Sequence, residues 1–138
     1  MRRRLLLALC ALAIVAAMPV HAQDARSSEA QDAARDWLAI VDKGDAGTAY
    51  ASAGERFRRQ VSNRQWAKGM ADAREPLGAN TRRTIESTRF VDRIQGVGKG
   101  DFAMLVFRSS FANKDFVREQ VTLENTATGW KVIGYLIR

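Results

Sequence analysis

Residues 101–125 read DFAMLVFRSSFANKDFVREQVTLEN, and this stretch sets the architecture of the second half of the chain. On both sides of Asn113-Lys114, apolar, β-branched and aromatic residues recur at a period of two, which is typical of strands. The short break between the two runs is a turn signal, and strands joined so closely are antiparallel neighbours. We therefore predict strands over 101–112 and 115–125.

The same period extends in both directions from this pair. It predicts further strands over 82–93 and 130–137, with turns at 96–100 and 125–129. The segment Gly-Val-Gly-Lys-Gly at 96–100 lacks the spacing of a phosphate-binding motif, so we interpret it as a loop. The second half of the chain is thus predicted to be a four-stranded antiparallel sheet.

The first half of the chain has helical periodicity instead. From Ser28 onward, apolar residues recur at the spacing of one helix face, and they are Ala30, Ala33, Ala34, Trp37, Leu38 and Val41. Ser28 with Gln31 matches a capping box, and Gly44 can take the left-handed conformation that ends a helix. The pattern predicts a helix that begins at Ser28 and ends before Gly44.

Two more helices are predicted between this helix and the sheet. Asp45 is expected to cap a short one that runs through Tyr50. Ser62 with Gln65 repeats the capping-box pattern and opens a third, which ends before Pro76. The fold class is therefore α+β, with about three N-terminal helices packed on one face of a four-stranded antiparallel sheet, an arrangement compatible with a cone-like shape.

The N-terminus has the three parts of a secretory signal peptide. Three arginines follow the initiator, 14 uncharged and mostly apolar residues occupy 5–18, and Val-His-Ala at 20–22 fits a signal-peptidase cut. A spanning helix needs about 20 apolar residues, so this run is too short to anchor the chain. We predict cleavage near Ala22, a single mature domain over 23–138 without a transmembrane segment, and a periplasmic or secreted location.

Removing residues 1–22 also removes much of the available chemistry, because Cys10 and His21 are the only Cys and His in the chain. A domain without these residues has no disulfide, no Cys or Ser-His nucleophile and no zinc or copper site of the usual kind. We expect no metal and no cofactor. The net charge falls from +7 to +4 when the three leader arginines are removed.

The order and spacing of several residues resemble a family of bacterial exported proteins, the domain-of-unknown-function family four-zero-one-nine. The residues that carry the resemblance are Trp37-Leu38, Val41-Asp42, Gly44, Phe57, Trp66, Arg74, Pro76-Leu77-Gly78, Phe111, Glu119, Val121, Gly129-Trp130-Lys131-Val132 and Gly134-Tyr135. Ala46 and Tyr50 depart from the pattern. The resemblance implies export and an α+β domain, and it brings no known activity or catalytic residue.

A looser likeness is to the cone-shaped nuclear-transport-factor-like fold. It rests on the opening helix that ends in Asp42-Lys43-Gly44-Asp45 and on the closing Gly129-Trp130-Lys131-Val132. Folds of this kind often form a pocket between their helices and a curved sheet, and they often dimerise through the sheet.

Glu119 is the most informative polar residue, because alternation with Val117 and Val121 places it on the apolar face of its strand. A carboxylate there needs a partner. An ion pair with Arg74 or Arg83 would make Glu119 structural, whereas an unpaired carboxyl would make it a pocket acid. We expect the ion pair.

Aromatic residues offer two interpretations, because they could line a hydrophobic pocket or simply fill the core. Core packing is the simpler explanation in a domain with few other large side chains. We retain Glu119, Tyr50, Tyr135 and Trp66 as candidate ligand-binding residues and name no catalytic residue.

Residues 54–93 are the basic part of the domain, with a formal charge of +5. The candidate anion patch consists of Arg56, Arg58, Arg59, Arg64, Arg82 and Arg83. Outside the cytoplasm its partner would be an anionic envelope component and not nucleic acid. An ordinary solvated helix face explains the same residues.

Two of the predicted strands are apolar on both faces, over 102–107 and 130–137. Helices can cover only one face of the sheet, so the other must meet loops, the N-terminal stretch or another molecule. A homodimer or a protein partner that binds through the sheet face is therefore one hypothesis.

These features favour a non-enzymatic ligand-binding or protein-interaction module. One alternative is a small acid-base enzyme of the isomerase or dehydratase kind, which would use Glu119 with a tyrosine. Another is a structural envelope protein whose basic segment docks onto anionic polymer.

Overall fold

The computed structural model describes residues 20–138, and side chains from residue 21 onward. Most of the signal-peptide prediction falls on residues 1–19 and so lies outside the described residues. The elements are α1 (Val20–Asp42), α2 (Ala46–Ser52), α3 (Glu55–Gln60), α4 (Asn63–Arg74), β1 (Asn80–Ile94), β2 (Gly98–Phe111), β3 (Lys114–Thr126) and β4 (Gly129–Ile137). A short 3-10 turn over Glu75–Leu77 links α4 to the sheet.

The four strands form one sheet in the order β1-β2-β3-β4, and each neighbouring pair is antiparallel. Gly96 and Gly98 adopt positive φ at the turn between β1 and β2, and Gly129 does so where the turn between β3 and β4 ends. The predicted α+β class with a four-stranded antiparallel sheet is confirmed. We call the sheet face that carries Phe107 and Glu119 the inner face and the opposite one the outer face.

The helices number four among the described residues, close to the predicted three, and the structure differs from the prediction at two points. Ser28 does not begin a helix, because α1 already starts at Val20 and places Ser28 in its interior. The six-residue helix α3 was not predicted. Both other predicted N-caps are confirmed, since Asp45 Oδ1 accepts a hydrogen bond from Thr48 N and Ser62 forms its capping box with Gln65. Helix α2 continues to Ser52, two residues beyond Tyr50.

The hydrophobic core lies between the helices and the inner face of the sheet. The predicted stripe of α1 is confirmed, since Trp37 and Leu38 are buried in the same hydrophobic cluster as the sheet residues Leu105 and Phe107. Two indole groups also fix α2, because Trp37 Nε1 donates to Ala49 O at 2.9 Å and Trp66 Nε1 donates to Ala46 O at 2.9 Å. Since burial of large aromatic side chains dominates the energy of a small core, these two tryptophans hold the helical layer together.

The segment that leads into α3 docks on the edge strand β4. Gly54 N donates to Val132 O at 2.7 Å, and a Cβ at Gly54 would lie 2.9 Å from Ile133 Cγ2, so a side chain does not fit there. Farther along α3, Arg56 reaches over Phe102, whose ring is fully buried. At this end of the predicted apolar outer face, Arg56 therefore contributes to the burial of Phe102.

Candidate functional site

Glu119 lies at the centre of a buried charge network and has no exposed surface. Arg83 Nε donates to Oε1 at 2.8 Å and Arg83 Nη2 donates to Oε2 at 3.2 Å. The hydroxyl groups of Ser109 and Tyr135 donate to the same carboxylate. The expected ion pair is confirmed, and four hydrogen bonds occupy the roughly four acceptor positions of the carboxylate.

Asp42 and Arg74 complete the network. Asp42 accepts from Arg83 at 2.7 and 3.0 Å and from Arg74 Nη2 at 2.6 Å. Arg74 Nη1 also lies 3.9 Å from Glu119 Oε2. Two guanidinium groups therefore face two carboxylates. This balance is what burial requires, because an unpaired charge removed from water is costly.

The four charged residues come from four elements, which the network ties together. Asp42 is the last residue of α1, and Arg74 is the last residue of α4. Arg83 lies on β1 opposite Ser109, and Glu119 lies on β3 opposite Phe107. A cation at the carboxyl end of a helix is favourable because that end carries partial negative charge. The network thus fastens the ends of two helices to the inner face of the sheet.

Neighbouring charges shift the pKa values inside the network. Burial alone would raise the pKa of Asp42, but the hydrogen bonds and charges of Arg83 and Arg74 outweigh it and hold that pKa below its usual value. Burial would lower the pKa of Arg83, and its bonds to Asp42 and Glu119 reverse this. Burial raises the pKa of the Tyr135 hydroxyl, and the charge of Glu119 raises it further. At neutral pH Tyr135 is therefore a neutral donor.

This arrangement does not favour acid-base chemistry. The lone pairs of Glu119 are already used by Arg83, Ser109 and Tyr135, and the hydroxyl of Tyr135 holds its proton. Tyr50 lies elsewhere, because its hydroxyl donates to Val61 O at 2.8 Å and thereby links α2 to the end of α3. The structure thus brings Tyr135 to Glu119 but not Tyr50.

A cavity of about 160 Å³ opens between α1, α2 and α4. Its lining residues are Val41, Gly44, Ala46, Trp66, Ala67, Met70, Ala71, Arg74 and Glu75. Trp66 is the one candidate ligand-binding residue among them. The walls are otherwise apolar, with the two charged residues grouped at the junction of α4 and the 3-10 turn. We call this cavity the helix pocket.

Arg74 connects the helix pocket to the charge network. Its side chain is 12% exposed, and its guanidinium lies 4.7 Å from the centre of the Phe111 ring. The Nη atoms bond to Asp42 and Tyr135, whereas Nε is buried and has no hydrogen-bond partner among the described residues. Sequence reasoning identified Arg74 only as a partner of Glu119, because the pocket wall is built from three separate helices.

The candidate anion patch is largely engaged in internal contacts. Arg56 Nε donates to Glu124 at 2.9 and 3.0 Å, Arg58 bonds to carbonyl groups at the end of α2, and Arg83 belongs to the charge network. Arg59 lies 3.7 Å from Glu55, one helical turn away. Arg64 and Arg82 are exposed.

No group of three His, Cys, Asp or Glu side chains in residues 20–138 is arranged to hold a metal ion. None of the helices in the same range combines the length and apolar character needed to span a membrane.

A family model described as "Protein of unknown function (DUF4019)" matches residues 33–135. The matched region contains the whole charge network and the whole helix pocket. A search of curated proteins and a search of solved structures each found no significant match. The likeness to the nuclear-transport-factor-like fold stays a prediction.

Proposed function

The chain belongs to the DUF4019 family, whose description names no activity, and from this premise we propose that it is a non-enzymatic binding module. The helix pocket is its binding site. The observation that carries the proposal is the composition of this cavity, whose walls are apolar except for Arg74 and Glu75 at one end.

Size and composition define the kind of ligand. Ligand sites are typically apolar with a few polar groups that orient the ligand, and the helix pocket has this composition. Apolar cavities of about 150 Å³ are known to hold a benzene ring. Because the charge of Arg74 is already balanced by Asp42, a neutral acceptor suits this end of the pocket better than a second carboxylate. The proposed ligand is therefore a small ring or chain end with one neutral oxygen.

Acetophenone has this chemistry and provides the test. We expect a titration followed by ¹H–¹⁵N spectra to shift the indole N–H of Trp66 and the Nε–H of Arg74 first, because both groups belong to the pocket residues. Ala71→Leu should weaken binding by about tenfold or more, since the larger side chain fills the cavity and a loss of 1.4 kcal/mol is a factor of ten.

Gly69→Leu is the matched control, because it adds the same side chain to α4. A Cβ at Gly69 meets no atom within 4 Å, so this variant should bind acetophenone as the wild type does. Equal losses in both variants, or a wild-type titration that leaves Trp66 unshifted, would contradict the proposed pocket.

We further propose that the protein acts outside the cytoplasm after loss of residues 1–22. The sequence of that segment supports export, and the burial pattern is compatible with it. Among the residues whose side chains the structure describes, the hydrophobic core begins at Ala30, and His21 and Ala22 beside the predicted cut are exposed. The bond between Ala22 and Gln23 lies in the first turn of α1 and would have to be cut before that turn forms.

Intact mass of the exported protein tests this proposal. We expect a chain that starts at Gln23 and carries no lipid, because cleavage after Ala22 removes Cys10. A mass that retains residues 1–22, or one that includes an acylated Cys10, would show that the segment is not a cleaved leader.

A further inference from the structure

Three arginines stand side by side at one end of the outer face. Arg108 on β2 lies directly opposite Arg118 on β3. The main chains of Arg118 and Arg138 exchange hydrogen bonds of 2.8 and 2.9 Å, which places Arg138 opposite Arg118 on the other side. Directly opposed residues of antiparallel strands project to the same face. All three side chains are exposed, and we call them the arginine row.

The arginine row is unfavourable for the isolated sheet, because like charges that face each other across strands destabilise it. Glu86 offsets this in part, with Oε1 at 3.0 Å from Arg118 Nη2 and 3.7 Å from Arg108 Nη2. It is the one carboxylate among the described residues that pairs with the row. One acid shared by two arginines leaves a positive excess at this surface, in contrast to the balanced network on the inner face.

Two exposed apolar side chains accompany the arginine row. Phe116 is 83% exposed, adopts a left-handed φ of 58°, and borders the same shallow groove as the three arginines. Left-handed backbone is rare for a bulky residue, so the position of this ring is unusual in both exposure and conformation. Leu136 lies on β4, two residues before Arg138, and is 48% exposed.

We propose that the arginine row, together with Phe116 and Leu136, docks the domain on a bilayer surface rich in anionic phospholipids. Arginines close to such a surface are attracted by its negative potential, and exposed apolar side chains insert between the headgroups. The combination favours a lipid surface over a soluble polyanion, which would not use Phe116. A second copy of this face is disfavoured, because a symmetric contact centred on the arginine row would bring arginines against arginines.

Cosedimentation with vesicles tests the proposal on the full chain. We expect binding to an equimolar mixture of phosphatidylglycerol and phosphatidylcholine to exceed binding to phosphatidylcholine alone, and to weaken as salt is added. Arg108→Ser combined with Arg118→Ser should reduce binding to the mixed vesicles by about 20-fold to 30-fold, since each arginine contributes about fivefold. Phe116→Ser should reduce it severalfold on its own.

Arg59→Ser combined with Arg64→Ser is the matched control, because it removes the same charge from exposed positions on α3 and α4. The affinity of this control for the mixed vesicles should stay within about threefold of the wild type. That is less than the roughly fivefold loss expected when one arginine in contact with the membrane is removed. All variants keep residues 1–22, including Arg2, Arg3 and Arg4, so any contribution of that segment is common to them and cancels when the row variant is compared with the control.

Three outcomes would overturn the proposal. One is a wild-type chain that does not distinguish the two kinds of vesicle. The second is an equal loss of binding in the row variant and in the control, which would show that total charge matters and not this face. The third is a dimer in solution that the row variant dissociates, which would assign the surface to self-association.

Discussion

Trp37→Ala is expected to destabilise the domain by about 3–5 kcal/mol, the range for removing a large buried aromatic side chain. Trp37 is 4% exposed, and its ring lies 5.5 Å from that of Trp66 and 5.4 Å from that of Tyr135. The substitution also removes the indole donor to the carbonyl of Ala49, which would keep only the longer contact from Ser52 Oγ at 3.2 Å, and this adds to the loss. Urea unfolding followed by circular dichroism measures the change without relying on tryptophan fluorescence.

Two further substitutions on α1 show which contacts are responsible. Asp36→Ala changes an exposed neighbour on the same helix and should stay within about 0.5 kcal/mol of the wild type. Trp37→Phe keeps an aromatic ring but loses the indole N–H, so its free energy of unfolding should lie between those of Trp37→Ala and the wild type. A Trp37→Ala midpoint equal to that of Asp36→Ala would mean that this face of α1 does not pack on the core.

Local patterns predicted the strands well because a strand with one buried face shows its period directly in the sequence. They also identified the caps Asp45 and Ser62, whose side chains bond to the backbone within one turn. The start of α1 was not predictable in this way, because Ser28 is equally compatible with an exposed position inside a helix. Helix α3 is too short to show a period, and the docking of Gly54 on Val132, a contact distant in sequence, positions its start.

The sites depended on information that alternation does not contain. Alternation placed Glu119 on the inner face and favoured an arginine partner, but it could not bring Asp42, Ser109 and Tyr135 to the same point.

The arginine row also could not be predicted from alternation, because it depends on strand register. Arg108 lies opposite Arg118 because of the turn between β2 and β3 and of the register shift beside it, between Ser109 and Phe111 of β2. A slip of one residue would place the two side chains on opposite faces.

Glu119→Gln is expected to cost about 3 kcal/mol, because it leaves a buried cation with half of its counter-charge. Arg83 is 12% exposed and would keep only Asp42 as a charged partner. The amide also fits badly, since hydroxyl and guanidinium donors converge on both carboxylate oxygens and the amide NH₂ is itself a donor. Urea unfolding at neutral pH measures the effect. The exposed Glu55→Gln serves as the control and should change stability by less than about 0.5 kcal/mol.

A double-mutant cycle separates the two arginines that surround Glu119. Arg83→Met should couple to Glu119→Gln by about 1–3 kcal/mol, because Arg83 donates two hydrogen bonds to the carboxylate. Arg74→Met should couple more weakly, since its nearest nitrogen lies 3.9 Å from Glu119 and its shorter contact is with Asp42. Unchanged stability in Glu119→Gln, with no coupling to either arginine, would mean that the carboxylate is not held as an ion by the network. Glu119 would then have to be considered as a functional acid, because the stability of the network would not depend on its charge.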